Sequence, residues 1–266
     1  MYLRSKKLRA ALLRLVDPLG LDVGERTPRE ELLRLLRVLG PLEAPLIRIG
    51  PAGDGGYLVP DDLEGIRYAF SPGVSTQSGF EAELAERGMQ VFLADHSVDG
   101  PAQPHPNFSF VRKFVGCVSN EQFMTLDEWK QQSIGDYRGD LLLQMDIEGC
   151  EYETLLSSSA ALLAQFRIMV IEIHFLEQWL NRYAFGLVSR AFDKLAQTHS
   201  VVHLHPNNCC GSVRTQGLVL PRVMELTLLR KDRIGERKPA LRFPHPLDAD
   251  NTGKATLVLP RCWYAR

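Results

Sequence analysis

Short apolar runs of strand length alternate with segments of helical spacing over most of this 266-residue chain. Two of these runs, LLLQM and RIMVIEI, are apolar on both faces, which is typical of parallel strands buried between two helical layers. Because strands that alternate with helices build parallel sheets covered on both sides, the pattern predicts an α/β fold. We expect a doubly wound, mostly parallel seven-stranded sheet with a helical N-terminal extension.

The predicted elements of this sheet follow directly from the apolar periodicity. The predicted strands are 67–71, 90–94, 108–114, 140–145, 167–173, 200–204 and 223–230. The predicted helices are 80–87, 126–132, 152–165 and 176–198.

Two helices are predicted before the sheet. In residues 1–19 the apolar side chains recur at helical spacing between basic ones, which favours docking on the same domain or across a homodimer over a lipid surface. Thr27 and Glu30 predict a capping box at the start of the second helix, and Gly40 marks its end. We therefore divide the chain into a helical cap at 1–45, a sheet domain at 46–235 and a tail at 236–266.

The tail is rich in Pro, Arg and Lys and ends in a short apolar run at 255–259. We expect this run either to add an edge strand or to remain loosely attached.

The charge balance argues against a nucleic-acid partner. Lys and Arg number 31 and Asp and Glu 32, so the formal net charge is −1, whereas phosphate binding needs a clustered basic excess. No apolar run approaches the ~20 residues of a membrane span, and no secretory signal is recognisable. We expect a cytoplasmic protein.

Cysteine usage agrees with a reducing compartment. The five cysteines are an odd number in a chain large enough to fold without disulfide bonds. Cys209 and Cys210 are adjacent but lack a CxxC partner pair. We favour packed free thiols there, with zinc or redox chemistry as the alternative.

Polar pairs terminate three of the predicted strands. Ligands in an open parallel sheet bind beyond the carboxyl ends of the strands, so these pairs are the candidate active site. The alternative is helix capping or satisfied core groups. The pairs are Asp146 and Glu148, Glu172 and His174, and His205 and Asn207.

A small-residue loop, SPGVSTQSGFE, connects the first sheet strand to a helix and includes Gly73. The loop lacks the GK[ST] and GxGxxG patterns of nucleotide sites, but Asp95 ends the next strand, where such folds bind ribose hydroxyls. Loop and acid together predict an adenosine-containing ligand without a pyrophosphate. The alternative is an ordinary turn followed by a solvated acid.

Several motifs together resemble the FkbM-type methyltransferases over about residues 47–230. The motifs are DGGYLVP, SPGVSTQSGFE, the AD step at Asp95, TLDEW, MDIEGCEYETL, VIEIH and HPNNC. The resemblance implies a Rossmann-like class I fold that uses S-adenosylmethionine and methylates hydroxyl groups of sugars, glycans or natural products. One departure is the loop SPGVST, where many relatives have a fuller glycine and acid pattern.

The resemblance also implies a cofactor site. Gly73 would let the backbone approach the methionine part of S-adenosylmethionine, Asp95 would accept hydrogen bonds from the ribose, and the DGG turn would line the pocket. The candidate cofactor residues are Asp54, Gly55, Tyr57, Ser71, Gly73, Ser75, Glu81, Asp95 and His96.

Methyl transfer to oxygen requires an acceptor hydroxyl to be positioned and deprotonated. His174 and His205 are candidate bases because they titrate near neutral pH, and Asp146 and Glu172 complete the candidate catalytic set. Alternatively, Asp146, Glu172 and His174 hold Mg²⁺ or Mn²⁺. The rival functions are a metal-dependent hydrolase using the same cluster and a non-catalytic binding module on the same fold.

Overall fold

The computed structural model describes residues 10, 11, 18, 24–74 and 77–265. Its α-helices are α1 (Arg29–Val38), α2 (Gly79–Glu86), α3 (Leu126–Ile134), α4 (Glu151–Ser157), α5 (Ala160–Gln165) and α6 (Arg182–Thr198). Its strands are β1 (Leu46–Ile49), β2 (Tyr57–Pro60), β3 (Tyr68–Pro72), β4 (Gln90–Ala94), β5 (Phe108–Val111), β6 (Phe114–Gly116), β7 (Phe123–Thr125), β8 (Leu141–Met145), β9 (Phe166–Ile173), β10 (His199–Pro206), β11 (Ser212–Thr215), β12 (Leu218–Pro221) and β13 (Met224–Arg230).

The central sheet has seven strands in the order β10-β13-β9-β8-β3-β4-β5. The pairs from β9 to β5 are parallel, whereas β13 is antiparallel to both β9 and β10. The chain order reverses between β3 and β8, which is the switch point where doubly wound sheets bind their ligands. The predicted doubly wound, mostly parallel seven-stranded sheet is therefore confirmed.

Apolar side chains cover both faces of this sheet. Along β8, Leu141 and Leu143 belong to one buried cluster and Leu142 to the other, because successive side chains of a strand point to opposite faces. All three are fully buried. The helical layers therefore fix the central strands, and with them the positions of the strand ends.

Three predicted elements are divided in the structure. The predicted helix 152–165 breaks into α4 and α5, because Ser159 caps α5 by accepting a hydrogen bond from the Leu162 amide. The segment 176–198 begins as a 3-10 helix, Leu176–Leu180, before Asn181 caps α6. The predicted strand 108–114 is divided into β5, which ends at Val111, and β6, which begins at Phe114.

The second predicted N-terminal helix is α1, but the capping box is wrong. Pro28 is the N-cap, without a side-chain hydrogen bond, and the buried Thr27 hydroxyl instead donates to the Trp179 carbonyl at 2.7 Å. Most of the predicted helix at 1–19 lies outside the described residues. None of the described helices is long and apolar enough to cross a membrane.

The tail is packed on the domain, contrary to both alternatives in the sequence analysis. Residues 255–259 form no strand, but Leu259 and Trp263 are buried in the main core. Trp263 donates from Nε1 to the Val219 carbonyl at 3.0 Å, and its ring lies 5.7 Å from that of Trp179. The division into cap, sheet domain and tail stays a prediction.

Candidate active site

A cavity of about 350 Å³ opens at the switch point, beyond the ends of β3, β8 and β9. Of the predicted site residues, the lining contains Asp54, Gly55, Tyr57, Gly73, Glu81, Asp146, Glu172 and His174. The lining also contains Gln77, Gln144, Glu148, Asn207, Cys209, Cys210 and Val223. None of these lining residues, all within the described part of the chain, is Lys or Arg, so the cavity is acidic.

A larger cavity, about 670 Å³, lies between residues 43–46 and 236–245. It is lined by mid-strand and tail residues of the β10 side and not by the carboxyl ends of parallel strands. We take the smaller cavity as the candidate active site, because it lies at the switch point and is lined by the acids at the strand ends.

His174 is held by a buried carboxylate. Its Nδ1 lies 3.0 Å from Oε1 of Glu151, which also accepts the amide of Gly149 at 3.0 Å. Nε2 then faces Glu148 at 3.5 Å and Asp146 at 3.8 Å. Burial alone would lower the pKa of His174, but the hydrogen bond to Glu151 and the neighbouring carboxylates outweigh it and raise that pKa above its ordinary value.

Asp146 is a half-buried acid whose buried Oδ1 lies 3.8 Å from Nε2 of His174, beyond hydrogen-bond distance. Its Oδ1 makes no hydrogen bond to any described residue. Burial, opposed by His174 and reinforced by Glu148, raises the pKa of Asp146 to about 7. An orphaned carboxylate oxygen in an acidic cavity is a binding position for a cation or a proton donor.

Three donor atoms converge at this point as metal ligands would. One atom each from Asp146, Glu148 and His174 lie within 4.8 Å of one another. Glu148, which the predicted metal set does not contain, belongs to this group of three. Glu172 lies at its edge, with Oε1 3.9 Å from His174 Nε2 and accepting a hydrogen bond from Asn207 at 2.9 Å.

A buried polar chain forms the floor of the cavity. The Ser71 hydroxyl lies 2.6 Å from Glu81 Oε1 and 2.7 Å from Gln144 Oε1, and Gln144 donates to the Tyr57 hydroxyl at 3.4 Å. The Ser71 hydroxyl can donate to the Glu81 carboxyl or to the Gln144 carbonyl, and burial raises the pKa of Glu81 above its ordinary value. These hydrogen bonds therefore link α2, through β3 and β8, to Tyr57 at the start of β2.

The loop after β3 is held by close backbone contacts. A Cβ at Gly73 would lie 1.5 Å from the Asp146 carbonyl oxygen, and the φ of Gly73 is +94°. Asp95 accepts hydrogen bonds from the Val74 amide at 3.2 Å and the Ser97 amide at 2.7 Å. Ser75 lies outside the described residues, and His96 points to the Arg112 carbonyl, away from the cavity lining.

His205 does not line this cavity. It lies on β10, which is separated from β9 by β13, so Glu225 stands in register between His205 and Glu172. Burial raises the pKa of Glu225 to about 7 against the effect of His205. His205 instead lines a separate cavity beside Asp248. Its predicted role as a base is therefore not supported by its position.

Two strained residues lie at or next to the cavity lining, Glu148 in the lining itself and Phe175 directly after His174. Glu148 and Phe175 have φ angles of 54° and 55°, in the left-handed region that non-glycine residues rarely adopt. Position 149 favours glycine, because a Cβ there would lie 2.6 Å from the Phe175 ring. Such strain is maintained only by surrounding structure and commonly marks functional sites.

We predict that Asp146 makes the protein less stable as pH rises. The folded state keeps the Asp146 proton up to about pH 7, whereas the unfolded chain releases it near 3.8, so stability falls across that interval. In chelator-containing buffer, Asp146→Asn should gain free energy of unfolding relative to wild type between pH 5 and pH 8, measured by urea denaturation. The exposed Asp99→Asn is the matched control, and an equal difference at both pH values would contradict the prediction.

Comparison with known protein families gives one match. Residues 83–199 match the family model described as the methyltransferase FkbM domain. No curated protein matches the chain.

The chain is also similar to solved structures of the 16S rRNA (adenine(1408)-N(1))-methyltransferase from Catenulisporales acidiphilia. The enzyme itself is 13% identical, with 62% of this chain and 87% of that chain covered and a TM-score of 0.32. A mutant with cosubstrate SAM is 12% identical, with 71% and 100% covered and a TM-score of 0.34. The fold assignment rests on the strand order, since such scores are too low to support it. The family match identifies residues 83–199 as an FkbM-type methyltransferase domain, which implies S-adenosylmethionine as the cosubstrate.

Proposed function

We propose that this domain transfers a methyl group from S-adenosylmethionine to a hydroxyl oxygen of a sugar, glycan or natural-product acceptor. The observation that carries the proposal is the convergence of Asp146, Glu148 and His174 in the switch-point cavity. An acceptor hydroxyl has to lose its proton, and Nε2 of His174 faces the cavity while Nδ1 is fixed by Glu151. His174 is therefore the base of the proposed reaction, and Glu151 its positioning residue.

The residues present fit S-adenosylmethionine. Its sulfonium and ammonium groups are cations, and the cavity offers carboxylates with an orphaned Asp146 oxygen and no basic side chain among its described lining. When bound, it supplies an electrophilic methyl group. Asp54, Gly55, Tyr57, Gly73 and Glu81 would hold it from the cavity wall, with Ser71 supporting Glu81 from behind.

Asp95 has a second role in this proposal. Its carboxylate accepts hydrogen bonds from the Val74 amide and from the amide and hydroxyl of Ser97, and so shapes the loop after β3. The one remaining acceptor position would accept a ribose hydroxyl. His96 follows it but bonds to Arg112, so we give it no direct contact.

We expect Asp95→Ala to weaken binding of S-adenosylhomocysteine by roughly 10- to 150-fold, because a charge-assisted hydrogen bond contributes about 1.5 to 3 kcal/mol. Titration calorimetry of the full chain measures the affinity. Asp99→Ala is the matched control, since Asp99 is exposed and only pairs with Arg112. Unchanged affinity in Asp95→Ala contradicts the ribose contact, and no binding by wild type contradicts the proposed function.

The metal part of the proposal is an alternative role for His174: if Mg²⁺ or Mn²⁺ is bound, Nε2 is a ligand, and the cation instead of His174 would promote loss of the acceptor proton. Oxygen-rich donors favour these ions, and the Glu151 carboxylate on His174 Nδ1 is the partner that a metal-bound histidine usually has. The observation that favours it is the mutual distance of at most 4.8 Å among the donors of Asp146, Glu148 and His174.

We predict that Mn²⁺ binds with one ion per chain and that Glu151→Gln lowers its affinity by about 10- to 100-fold. Electron paramagnetic resonance of free Mn²⁺ measures binding, with Asp99→Asn as the control. EDTA should abolish activity and Mg²⁺ or Mn²⁺ restore it. If wild type shows no saturable Mn²⁺ binding and EDTA has no effect, the metal part is wrong and His174 acts alone.

A further inference from the structure

Two adjacent thiols lie at the rim of the candidate active site. Cys209 and Cys210 follow β10, and their sulfur atoms are 2.6 Å apart. Cys210 is exposed and Cys209 is partly buried, while both line the cavity. The expectation of two packed thiols therefore fails for Cys210, and the pair is accessible from solution.

Hydrogen bonds connect this pair to the acidic cluster. The Cys209 amide donates to Oδ1 of Asn207 at 2.9 Å, and Nδ2 of Asn207 donates to Oε1 of Glu172 at 2.9 Å. On the other side, Lys254 donates to the Cys209 carbonyl at 2.5 Å. A change in the backbone at Cys209 therefore reaches Glu172 through a single side chain.

We propose that Cys209 and Cys210 are a thiol–disulfide exchange site that reacts with low-molecular-weight disulfides and closes to a vicinal disulfide at the cavity mouth. The Cys210 thiol loses its proton and attacks one sulfur of the small disulfide, whose S–S bond breaks and releases one thiol. The Cys209 thiol then loses its proton and displaces the second thiol from Cys210. Two protein thiols are oxidised, and one small disulfide is reduced to two thiols.

The environment sets the order of these two steps. Burial, followed by the neighbouring Cys210, raises the pKa of Cys209 to about 12, so Cys209 is a poor attacking group in solution. Cys210 is the exposed thiol and attacks first. Once Cys210 has formed the mixed disulfide, the Cys209 sulfur lies next to the Cys210 sulfur and displaces the small thiol from it.

The resulting bridge is readily reversible. Adjacent Cα atoms are about 3.8 Å apart, below the usual separation across a disulfide of about 4.4 to 6.8 Å, so the bridge is strained. Strained, exposed disulfides are the easily reduced ones. Closure of the disulfide ring also moves the Cys209 amide away from Oδ1 of Asn207. Asn207 is then less firmly positioned, so its hydrogen bond to Glu172 weakens. This second consequence rests on the proposed function, whereas the exchange itself does not.

The test treats the reduced 266-residue chain with glutathione disulfide and maps the cysteine-containing peptides by mass spectrometry without reductant. We expect the peptide with Cys209 and Cys210 to lose two hydrogen atoms and to recover them with dithiothreitol. Cys209→Ser should stop at a stable glutathione adduct on Cys210, because the resolving thiol is gone. Cys210→Ser should remain unmodified at Cys209. Cys117→Ser is the matched control and should form the bridge like wild type.

A stable glutathione adduct in wild type, no modification at all, or a bridge confined to Cys117 and Cys150 would each overturn the exchange site. Thermal shift with S-adenosylhomocysteine, recorded on the same oxidised and reduced samples, reports the proposed function separately. If the bridge forms and neither sample is stabilised, the proposed function fails while the exchange site stands. Methyl transfer by the oxidised form equal to that of the reduced form overturns only the coupling to Glu172.

Discussion

Replacing His174 by Ala is expected to lower kcat for methyl transfer by roughly 10²- to 10⁴-fold, the usual contribution of a general base. The affinity for S-adenosylhomocysteine should stay within a few-fold, because a base acts only as the acceptor hydroxyl loses its proton. Initial rates on an acceptor found by screening hydroxylated compounds for S-adenosylhomocysteine release measure kcat, and calorimetry measures the affinity.

Two further variants separate catalysis from folding. His105→Ala is the matched control, because His105 lies in the loop before β5 and does not line the cavity. Glu151→Gln keeps an acceptor for His174 Nδ1 but removes the charge, so it should lower the pKa of His174 and move the acidic limb of the pH–rate profile to lower pH. If His174→Ala keeps wild-type turnover, the strand-end groups are capping residues and the placement of the active site is wrong.

Strand ends were the part of the site that a single sequence could predict. Asp146, Glu172 and His174 stand at the ends of mostly apolar runs, and parallel strands bring their carboxyl ends to one edge. The same argument misplaced His205. Chain order gives no sign that β13, the last strand, inserts between β9 and β10 and separates His205 from the cavity.

The sequence pattern does not reveal the residues that position the strand-end side chains. Glu151 stands in the first turn of α4, where an acidic residue is usually explained by the helix dipole. Gln144 lies inside an apolar run, so its contact with Ser71 depends on the register of β3 and β8. Glu225 faces Glu172 only because an antiparallel strand is paired in one particular register. These partners depend on tertiary pairing, which local periodicity does not contain.

Short helix breaks were missed for a different reason. Ser159 and Asn181 interrupt segments whose apolar spacing continues on both sides, and periodicity outweighed the local capping signal in the prediction. At the N-terminus the opposite error occurred, because a local capping signal was accepted although the residue does not cap the helix. Thr27 has the residue type of a cap, but its hydroxyl is buried against Trp179 and serves tertiary packing.

Gly73→Ala is expected to lower the free energy of unfolding by about 2 to 5 kcal/mol. A left-handed conformation costs an L-residue roughly 1 to 2 kcal/mol, and overpacking adds about 1 to 3 kcal/mol. The overpacking arises because the new Cβ would lie 1.5 Å from the Asp146 carbonyl oxygen, so the ends of β3 and β8 would have to separate. Urea denaturation measures the loss, and calorimetry should show weaker S-adenosylhomocysteine binding because Asp146 moves with its backbone.

Gly88→Ala isolates the steric part of this effect. Gly88 has a φ of +91°, close to the +94° of Gly73, but a Cβ there would meet nothing within 4 Å. The control therefore carries the conformational cost alone, roughly 1 to 2 kcal/mol, and should leave ligand affinity unchanged. If Gly73→Ala loses no more free energy of unfolding than Gly88→Ala, the ends of β3 and β8 can separate without cost. The contact between Gly73 and Asp146 would then not be what positions the acid at the switch point.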